Sequence, residues 1–561
     1  MSAQTRIEND RVIVTAQGVE LIKLKTRINH TVGHIVTREE TRNSFSFSSS
    51  LLPLLVSELP LNGLGQDVLQ VRELFFRHRE ARKRILEYFS ADDIGQLGAP
   101  WSEILDPLQA VAVHGMTEPD LLGFCLFDEQ GSGKTVMGMA AFDILKDKSE
   151  IEAAIIVCPK SLIGTWESDF KKFLPGKYSI ITAEGSAKER FNKIVGKHDV
   201  LLTTYEVVNS ELTILKGIAQ TRDVLLIVDE SFFAKNPDAL RTNSLIELRA
   251  KCKRCFALCG TPAPNSYNDV VSQFDLADSG YTFAGHTSSS EPYEDADSVQ
   301  DRMDTRGAYL RREKAVILPN LPPKLFHIKS IKLTGRQENL YETAKQDLFL
   351  SLRTMDNKSF RKNLMHYFQK RNALLQICSC PSAIDPLFKQ DHAKLVAVDE
   401  LLNEIIDKGG RKALLWSFYR QNLDEAILRY SRYNPVKIDG GTSQESRRLA
   451  VDRFQNDPSV RLFIGNPAAA GAGLTLHAAS DAIYMSFSNQ AAHHLQSIDR
   501  IHRRGQNAPE TNYHFIVCDG TIEVPDLARL RMKEQNQSDL LSDIHSGQPD
   551  LDSAIKELSP Q

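Results

Sequence analysis

The chain of 561 residues is 42% hydrophobic and 25% charged, with 68 basic against 72 acidic side chains and a formal net charge of −4. That balance belongs to a folded chain of several domains and excludes disordered and fibrous classes. A membrane span needs about 18 or more consecutive apolar residues, and runs such as Val224 to Val228 are far shorter, so a membrane partner is not expected. In chain order, Met1-Ser-Ala-Gln-Thr-Arg6 has no apolar stretch behind a basic start, which argues against a secretory signal. Residues 1–95 lack the pattern that follows and are expected to form a small accessory domain, a possible docking place for protein partners. Within it, Arg72, Arg77, Arg79, Arg82, Lys83 and Arg84 alternate with Leu74, Phe75, Ile85, Leu86 and Phe89. This is an amphipathic basic helix, either packed on a larger domain with its charges solvated or in contact with nucleic acid.

From Trp101 onward, short apolar runs bounded by Gly, Pro, Asp or Thr alternate with helical spacing. Leu121–Phe127, Ala153–Val157, Val200–Leu202, Val224–Val228 and Cys255–Leu258 read as buried parallel strands. A second series follows at Ala413–Trp416, Val436–Ile438, Leu462–Ile464, Ala482–Met485 and His514–Val517. Two such series imply two α/β lobes, expected at 96–325 and 326–535. Between them lie a polar, acidic loop from His286 to Asp297 and a helical insertion over about 335–390. Its helical spacing runs through Leu340, Ala344, Leu348, Leu352, Leu364, Phe368 and Leu375 over 335–376. Residues 536–561 read as a frayed acidic tail.

The sharpest chemical signal is Phe127-Asp-Glu-Gln-Gly-Ser-Gly-Lys-Thr135, placed between a strand and a helix expected over Val136–Leu145. Gly131 and Gly133 let backbone N–H groups curl around phosphate oxygens, Lys134 reaches the β and γ phosphates, and Thr135 ligates Mg²⁺. Asp128 stands where the strict pattern has Gly. Downstream, Val224-Leu-Leu-Ile-Val-Asp-Glu-Ser-Phe232 delivers two carboxylates at a strand end. Asp229 is expected to hold Mg²⁺ through its water shell, and Glu230 to orient or deprotonate the attacking water. In the second lobe, Gln496-Ser-Ile-Asp-Arg-Ile-His-Arg-Arg-Gly-Gln506 puts Arg500 and Arg503 on one face of an expected helix. There they would stabilise charge on the transferred phosphoryl group. Cys252-Lys-Arg-Cys255 and Cys378-Ser-Cys380 have metal-like spacing but no spaced His, so buried thiols are the better reading. The eight scattered cysteines suit a reducing, cytoplasmic compartment.

These blocks resemble the superfamily-two helicases and, within them, the SWI/SNF-type DNA translocases, over roughly residues 100–530. Leu105-Asp-Pro-Leu-Gln109 looks like the adenine-reading glutamine motif, and Val157 to Trp166 and Leu202-Thr-Thr-Tyr205 like nucleic-acid motifs. Cys259-Gly-Thr-Pro-Ala-Pro-Asn265 resembles the coupling motif. Leu310-Arg-Arg-Glu-Lys and Leu321-Pro-Pro-Lys324 are similar to the inter-lobe segment. Ile438-Asp-Gly-Gly-Thr-Ser and Gly465 to Thr475, with Arg500 to Gln506, look like second-lobe blocks. The resemblance implies two tandem RecA-like lobes with ATP and Mg²⁺ at their interface, Gln109, Gly471 and Gly473 among the nucleotide contacts, and Gln496 with the arginines. It further implies sequence-independent gripping of double-stranded DNA by Lys160, Ser161, Trp166, Thr204, Ser417 and Thr475. Two departures stand out. The Asp-Glu-Ala-His box reads Asp229-Glu-Ser-Phe232, Ser at its third place being shared with the compact branch that includes annealing helicases, and Ala468 replaces a common arginine. The expected function is an ATP-driven duplex translocase. The alternatives are a strand-separating DNA or RNA helicase, or a nucleotide-gated scaffold in a larger complex, with a prokaryotic or phage setting such as genome defence.

Overall fold

Each apolar run of the two series becomes a strand of one of two parallel sheets. The computed structural model describes residues 3–8, 11–32, 37–55, 65–90, 97–263, 266–288, 295–470, 474–486, 491–535 and 551–558. The chain divides into two compact units, one of Met1–Glu129 with Gly133–Glu313 and one of Gln130–Ser132 with Lys314–Gln561.

The first unit opens with β1 (Gln4–Glu8), β2 (Arg11–Thr15), β3 (Arg38–Thr41) and β4 (Ser44–Ser48), an antiparallel sheet in the order β1-β2-β4-β3. Alternation puts Val12, Val14, Phe45 and Phe47 on one face, where they pack with Leu24 and Ile28. The basic segment forms the helix Gln66–Ser90. It is the docking element of this accessory part: Ala81 and Ile85 enter the core of the larger domain, and the buried Arg82 donates to the carbonyls of Gly307 (2.8 Å) and Asp304 (2.5 Å). Its other cations are largely neutralised locally, as in Arg77–Glu73, Lys83–Glu80 and Arg84–Glu118. The packed-helix reading therefore describes it.

The large sheet of this unit comprises β5 (Gly123–Leu126), β6 (Ala153–Val157), β7 (Ile180–Thr182), β8 (Val200–Thr203), β9 (Val224–Asp229), β10 (Arg254–Leu258) and β11 (Tyr309–Leu310), in the order β11-β5-β10-β9-β6-β8-β7. All pairings are parallel. Along β9, Leu225 and Ile227 join the core on one face, and Val224, Leu226 and Val228 the core on the other. Burial on both faces is why the strand reads as an unbroken apolar run. The edge strands β7 and β11 are half-buried and escape the apolar signal.

The second unit carries β12 (Lys324–Ile331), β13 (Ala413–Trp416), β14 (Val436–Ile438), β15 (Leu462–Gly465), β16 (Asp481–Tyr484) and β17 (Thr511–Cys518), parallel in the order β12-β17-β16-β13-β15-β14. The polar edge strand β12 was not expected. It pairs with β17 along its whole length, and the second unit takes up the chain from Lys314. The insertion consists of helices Gly335–Arg353, Asn357–Lys362 and Leu364–Ser379. The expected frayed tail needs correction over its last turns. Residues 536–550 lie outside the described residues, but Leu551–Leu558 is a helix. Its Leu551, Ala554 and Leu558 pack with Tyr341, Leu348 and Tyr367, and Glu557 accepts from Arg371 and Arg529. A stripe at i, i+3 and i+7 suffices to bury one face, whatever the polarity of the rest.

Among the described residues no helix is long and apolar enough to cross a membrane. All eight cysteines are buried thiols. Burial pushes the thiols of Cys252 and Cys255 up to about 12. Cys378 lies beside Cys518 and Glu523, with their potential ligand atoms within 4.8 Å of one another, and the Lys394 ammonium pairs with Glu523 (2.6 Å).

Candidate nucleotide site

The phosphate loop connects β5 to the helix Lys134–Asp147, whose first residue comes two positions earlier than expected. Gly131 (φ +88°) and Gly133 (φ +90°) are left-handed, a conformation that L side chains avoid. A Cβ at Gly133 would lie 2.4 Å from Gln109 Nε2, so the loop keeps an open backbone cradle beside that amide, which fits a nucleotide phosphate. Gln109 is fixed by a reciprocal cap: its N–H donates to Asp106 Oδ1 (2.8 Å) and its Oε1 accepts from Asp106 N–H (3.2 Å). Lys134 folds back over the loop and donates to the carbonyls of Asp128 (2.7 Å) and Glu129 (3.1 Å). Thr135 is half-buried in the first helical turn.

Asp128 does not face the cradle. Its buried carboxylate accepts from Arg312 Nε (3.1 Å) and Nη2 (2.5 Å), and Arg312 also donates to the Leu108 carbonyl (2.5 Å). It is thus an anchor that clips the loop to the segment behind β11 and to the Gln109 helix. Removing one partner of a buried pair strands the other charge at a cost of about 3–5 kcal/mol. Arg312→Ala is therefore expected to lower the thermal midpoint of the first unit, with Asp128→Ala on the same background restoring part of the loss. Equal midpoints for the native protein and Arg312→Ala would count against the anchor.

The acidic pair closes β9. Asp229 Oδ2 accepts from Trp166 Nε1 (2.9 Å) and its Oδ1 from Glu230 N–H (3.0 Å). Burial pushes its carboxyl above the ordinary value, opposed by the Trp166 N–H and the charge of Lys134. Glu230 sits at φ +53°, ψ +52°, a left-handed conformation that costs a non-glycine residue about 1–3 kcal/mol and that surrounding contacts must hold. Tyr205 supplies one such contact: its hydroxyl donates to the carbonyls of Asp229 (2.8 Å) and Glu230 (3.0 Å).

Three residues expected to grip DNA serve inside the protein. Trp166 is 0% exposed, and its indole N–H is committed to Asp229. Ser417 is 1% exposed and bonds Ser486 Oγ (3.1 Å). Thr204 is buried, and its hydroxyl caps the next helix by accepting from Val207 N–H (3.4 Å). A buried side chain has no face to offer a phosphate backbone. Lys160 is exposed, and Ser161 and Thr475 are half-buried.

In the second unit, Gln496 lies on the helix Ala491–Ile498, but Arg500 and Arg503 follow it in turns and not on a helical face. The Arg500 N–H bonds the Ser497 carbonyl (3.2 Å), which tightens the chain out of the helix. Convergence is reached another way. Nη1 of Arg500 and Nη1 of Arg503 both donate to the Leu474 carbonyl, at 3.0 and 2.9 Å, and Arg500 Nε donates to the Gln496 carbonyl (2.5 Å). Asp499 between them pairs with Lys314. Gly471 and Gly473 lie outside the described residues. Arg312 lies in the segment Leu310-Arg-Arg-Glu-Lys and Tyr205 closes Leu202-Thr-Thr-Tyr205, but nothing local to either segment assigns these partners.

The chain matches the SNF2-related domain family over residues 34–383 and the helicase conserved C-terminal domain over 393–505. It is 27% identical over 414 residues to the uncharacterized ATP-dependent helicase MG018 of Mycoplasma genitalium, covering 72% of this chain and 39% of that one. It is 27% identical over 514 residues to the DNA repair and recombination protein RAD54-like of Drosophila ananassae (80% and 64%). With the ATP-dependent helicase FUN30 of Saccharomyces cerevisiae it shares 23% over 549 residues (79% and 47%). It thus spans between 39% and 64% of the length of these curated relatives. Among solved structures it is similar to the Sulfolobus solfataricus SWI2/SNF2 ATPase core in complex with dsDNA, at 23% identity and a TM-score of 0.36, covering 78% of this chain and 93% of that one.

Proposed function

Because the chain belongs to the SNF2-related family, we propose that it is an ATP-driven motor that hydrolyses ATP and moves along double-stranded DNA. The observation that carries the reading is that the left-handed Gly133, Lys134 and the strained Asp229–Glu230 turn, all of the first unit, stand at the carboxyl ends of β5 and β9, the two parallel strands that flank β10, where α/β sheets bind ligands. The loop N–H groups and Lys134 bind the phosphates, Gln109 reads the adenine, and Glu230 takes the proton of the attacking water. Thr135 and Asp229 are the residues that would hold Mg²⁺ through water, and the ion would supply charge neutralisation at the β and γ oxygens. In the second unit, Arg500 and Arg503, with Gln496, are the groups assigned to stabilise charge on the transferred phosphoryl group. Gly471 and Gly473 belong to the same nucleotide contacts.

The ATP cycle then shifts the grip of each unit on the DNA. On the first unit the grips are Lys160 and Ser161, and on the second Thr475. Backbone gripping is independent of sequence and falls with salt: a protein making about 6–10 phosphate contacts loses about 10³–10⁵ in affinity between 50 and 200 mM salt. The names of the helicase and recombination relatives support DNA as the partner, and a reducing cytoplasmic compartment suits the buried thiols.

The experiment is steady-state ATP turnover of the purified protein with no nucleic acid, duplex DNA, forked DNA and RNA, at two salt concentrations. The expected result is stimulation by duplex DNA that weakens with salt. Stimulation by RNA or fork splitting without third-strand displacement would favour a strand-separating helicase. Phe232, stacked on Phe233 with ring centroids 4.4 Å apart, gives the scaffold alternative its footing, and absence of turnover under every condition would select it.

A further inference from the structure

The functional reading leaves one fully buried amide unused. Gln273, on the helix Val271–Asp278, is 0% exposed, as is Ser231, the residue directly after Glu230. Ser231 Oγ donates to Gln273 Oε1 (2.6 Å), and Gln273 Nε2 donates to the carbonyls of Pro262 (2.6 Å) and Asp269 (2.8 Å). The orientation of the amide follows from its partners: carbonyls only accept, so the nitrogen must face Pro262 and Asp269, and the oxygen is left for the hydroxyl.

Two further bonds tie the turn behind the acidic pair to the same helix region. Ser272 Oγ donates to the Lys235 carbonyl (3.2 Å), and Lys235 Nζ pairs with Asp269 (3.3 Å). Gln273 adds what these do not, a bond to Pro262 in the turn that follows β10. Its side chain therefore joins two turns at the carboxyl ends of adjacent strands, Glu230–Ser231 after β9 and Cys259–Pro262 after β10. A leucine would occupy similar volume without the cost of burying an amide, a cost that only complete hydrogen bonding offsets.

We propose that Gln273 is a positioning residue that locks these two turns together, so that movement of the acidic pair during the ATP cycle is carried into the Cys259–Pro262 turn and coupled to DNA. This rests on the motor reading above. It concerns transmission and not the hydrolytic step, because Gln273 touches neither carboxylate in the described bonds.

The test compares the native protein, Gln273→Leu, Ser231→Ala and the double variant, with ATP turnover measured with and without duplex DNA and thermal midpoints measured alongside. Gln273→Leu is expected to keep DNA-free turnover and the KM for ATP within about twofold of native. Its DNA stimulation is expected to fall about tenfold, a coupling loss of ordinary size. Ser231→Ala should lose part of the stimulation, and the double variant should be no worse than Gln273→Leu, as for residues acting in one relay. Unchanged stimulation in Gln273→Leu, or a proportional fall of both rates, overturns the proposal. If Gln273→Leu unfolds below the assay temperature, Ser231→Ala decides: a reduced ratio of stimulated to DNA-free turnover supports the relay and a native ratio overturns it. A native protein that duplex DNA does not stimulate overturns the motor reading itself, an outcome seen before any variant is compared.

Discussion

Glu230→Gln is expected to bind ATP within about twofold of the native protein while turnover falls by about 10²–10⁴, the usual contribution of a positioned general base. The substitution is nearly isosteric. It keeps the backbone N–H that donates to Asp229 Oδ1 and the carbonyl that accepts from Tyr205, so the left-handed turn persists and only the proton acceptor is lost. Lys134→Ala provides the contrast. On the proposed reading it removes the charge that meets the phosphates, so affinity and turnover are expected to fall together. Equilibrium binding of a fluorescent ATP analogue beside single-turnover hydrolysis separates the two patterns. Near-native hydrolysis by Glu230→Gln would refute its role.

Arg503→Ala should lower the hydrolytic rate by about 10³–10⁵, the range for a guanidinium that stabilises transferring phosphoryl charge, with a much smaller change in ATP affinity. Arg503 is the cleaner of the two arginines to remove. Arg500 is buried and also donates to the Gln496 carbonyl, so its loss would loosen the end of the helix as well. Arg503→Lys should recover little, because a compact ammonium does not reproduce the planar fork. Measurement of kcat against KM decides: a rise in KM alone would show that Arg503 merely binds ground-state nucleotide.

Much of the molecule was legible in order of residues. The runs Ala153–Val157 and Ala413–Trp416 match their strands end for end, since parallel strands buried on both faces leave no polar positions. Edge strands are different. β12, with Lys324, His327 and Lys329, carries no apolar run, and only its ladder to β17 identifies it. The closing helix was hidden similarly, because Leu551, Ala554 and Leu558 are too few to stand out in an acidic segment until a partner surface is present.

The sequence by itself determined the phosphate loop, the acidic pair and the two-lobe strand pattern. Each depends on neighbours within a few positions: glycines where φ must be positive, carboxylates where an apolar strand stops. Tertiary structure alone decided which polar groups meet. Arg312 reaches Asp128 across 184 residues and Trp166 reaches Asp229 across 63, while Ser231 finds Gln273 across 42. An arginine, an indole or an amide can satisfy its hydrogen bonds with many partners, and chain folding selects one by excluding water from all the others.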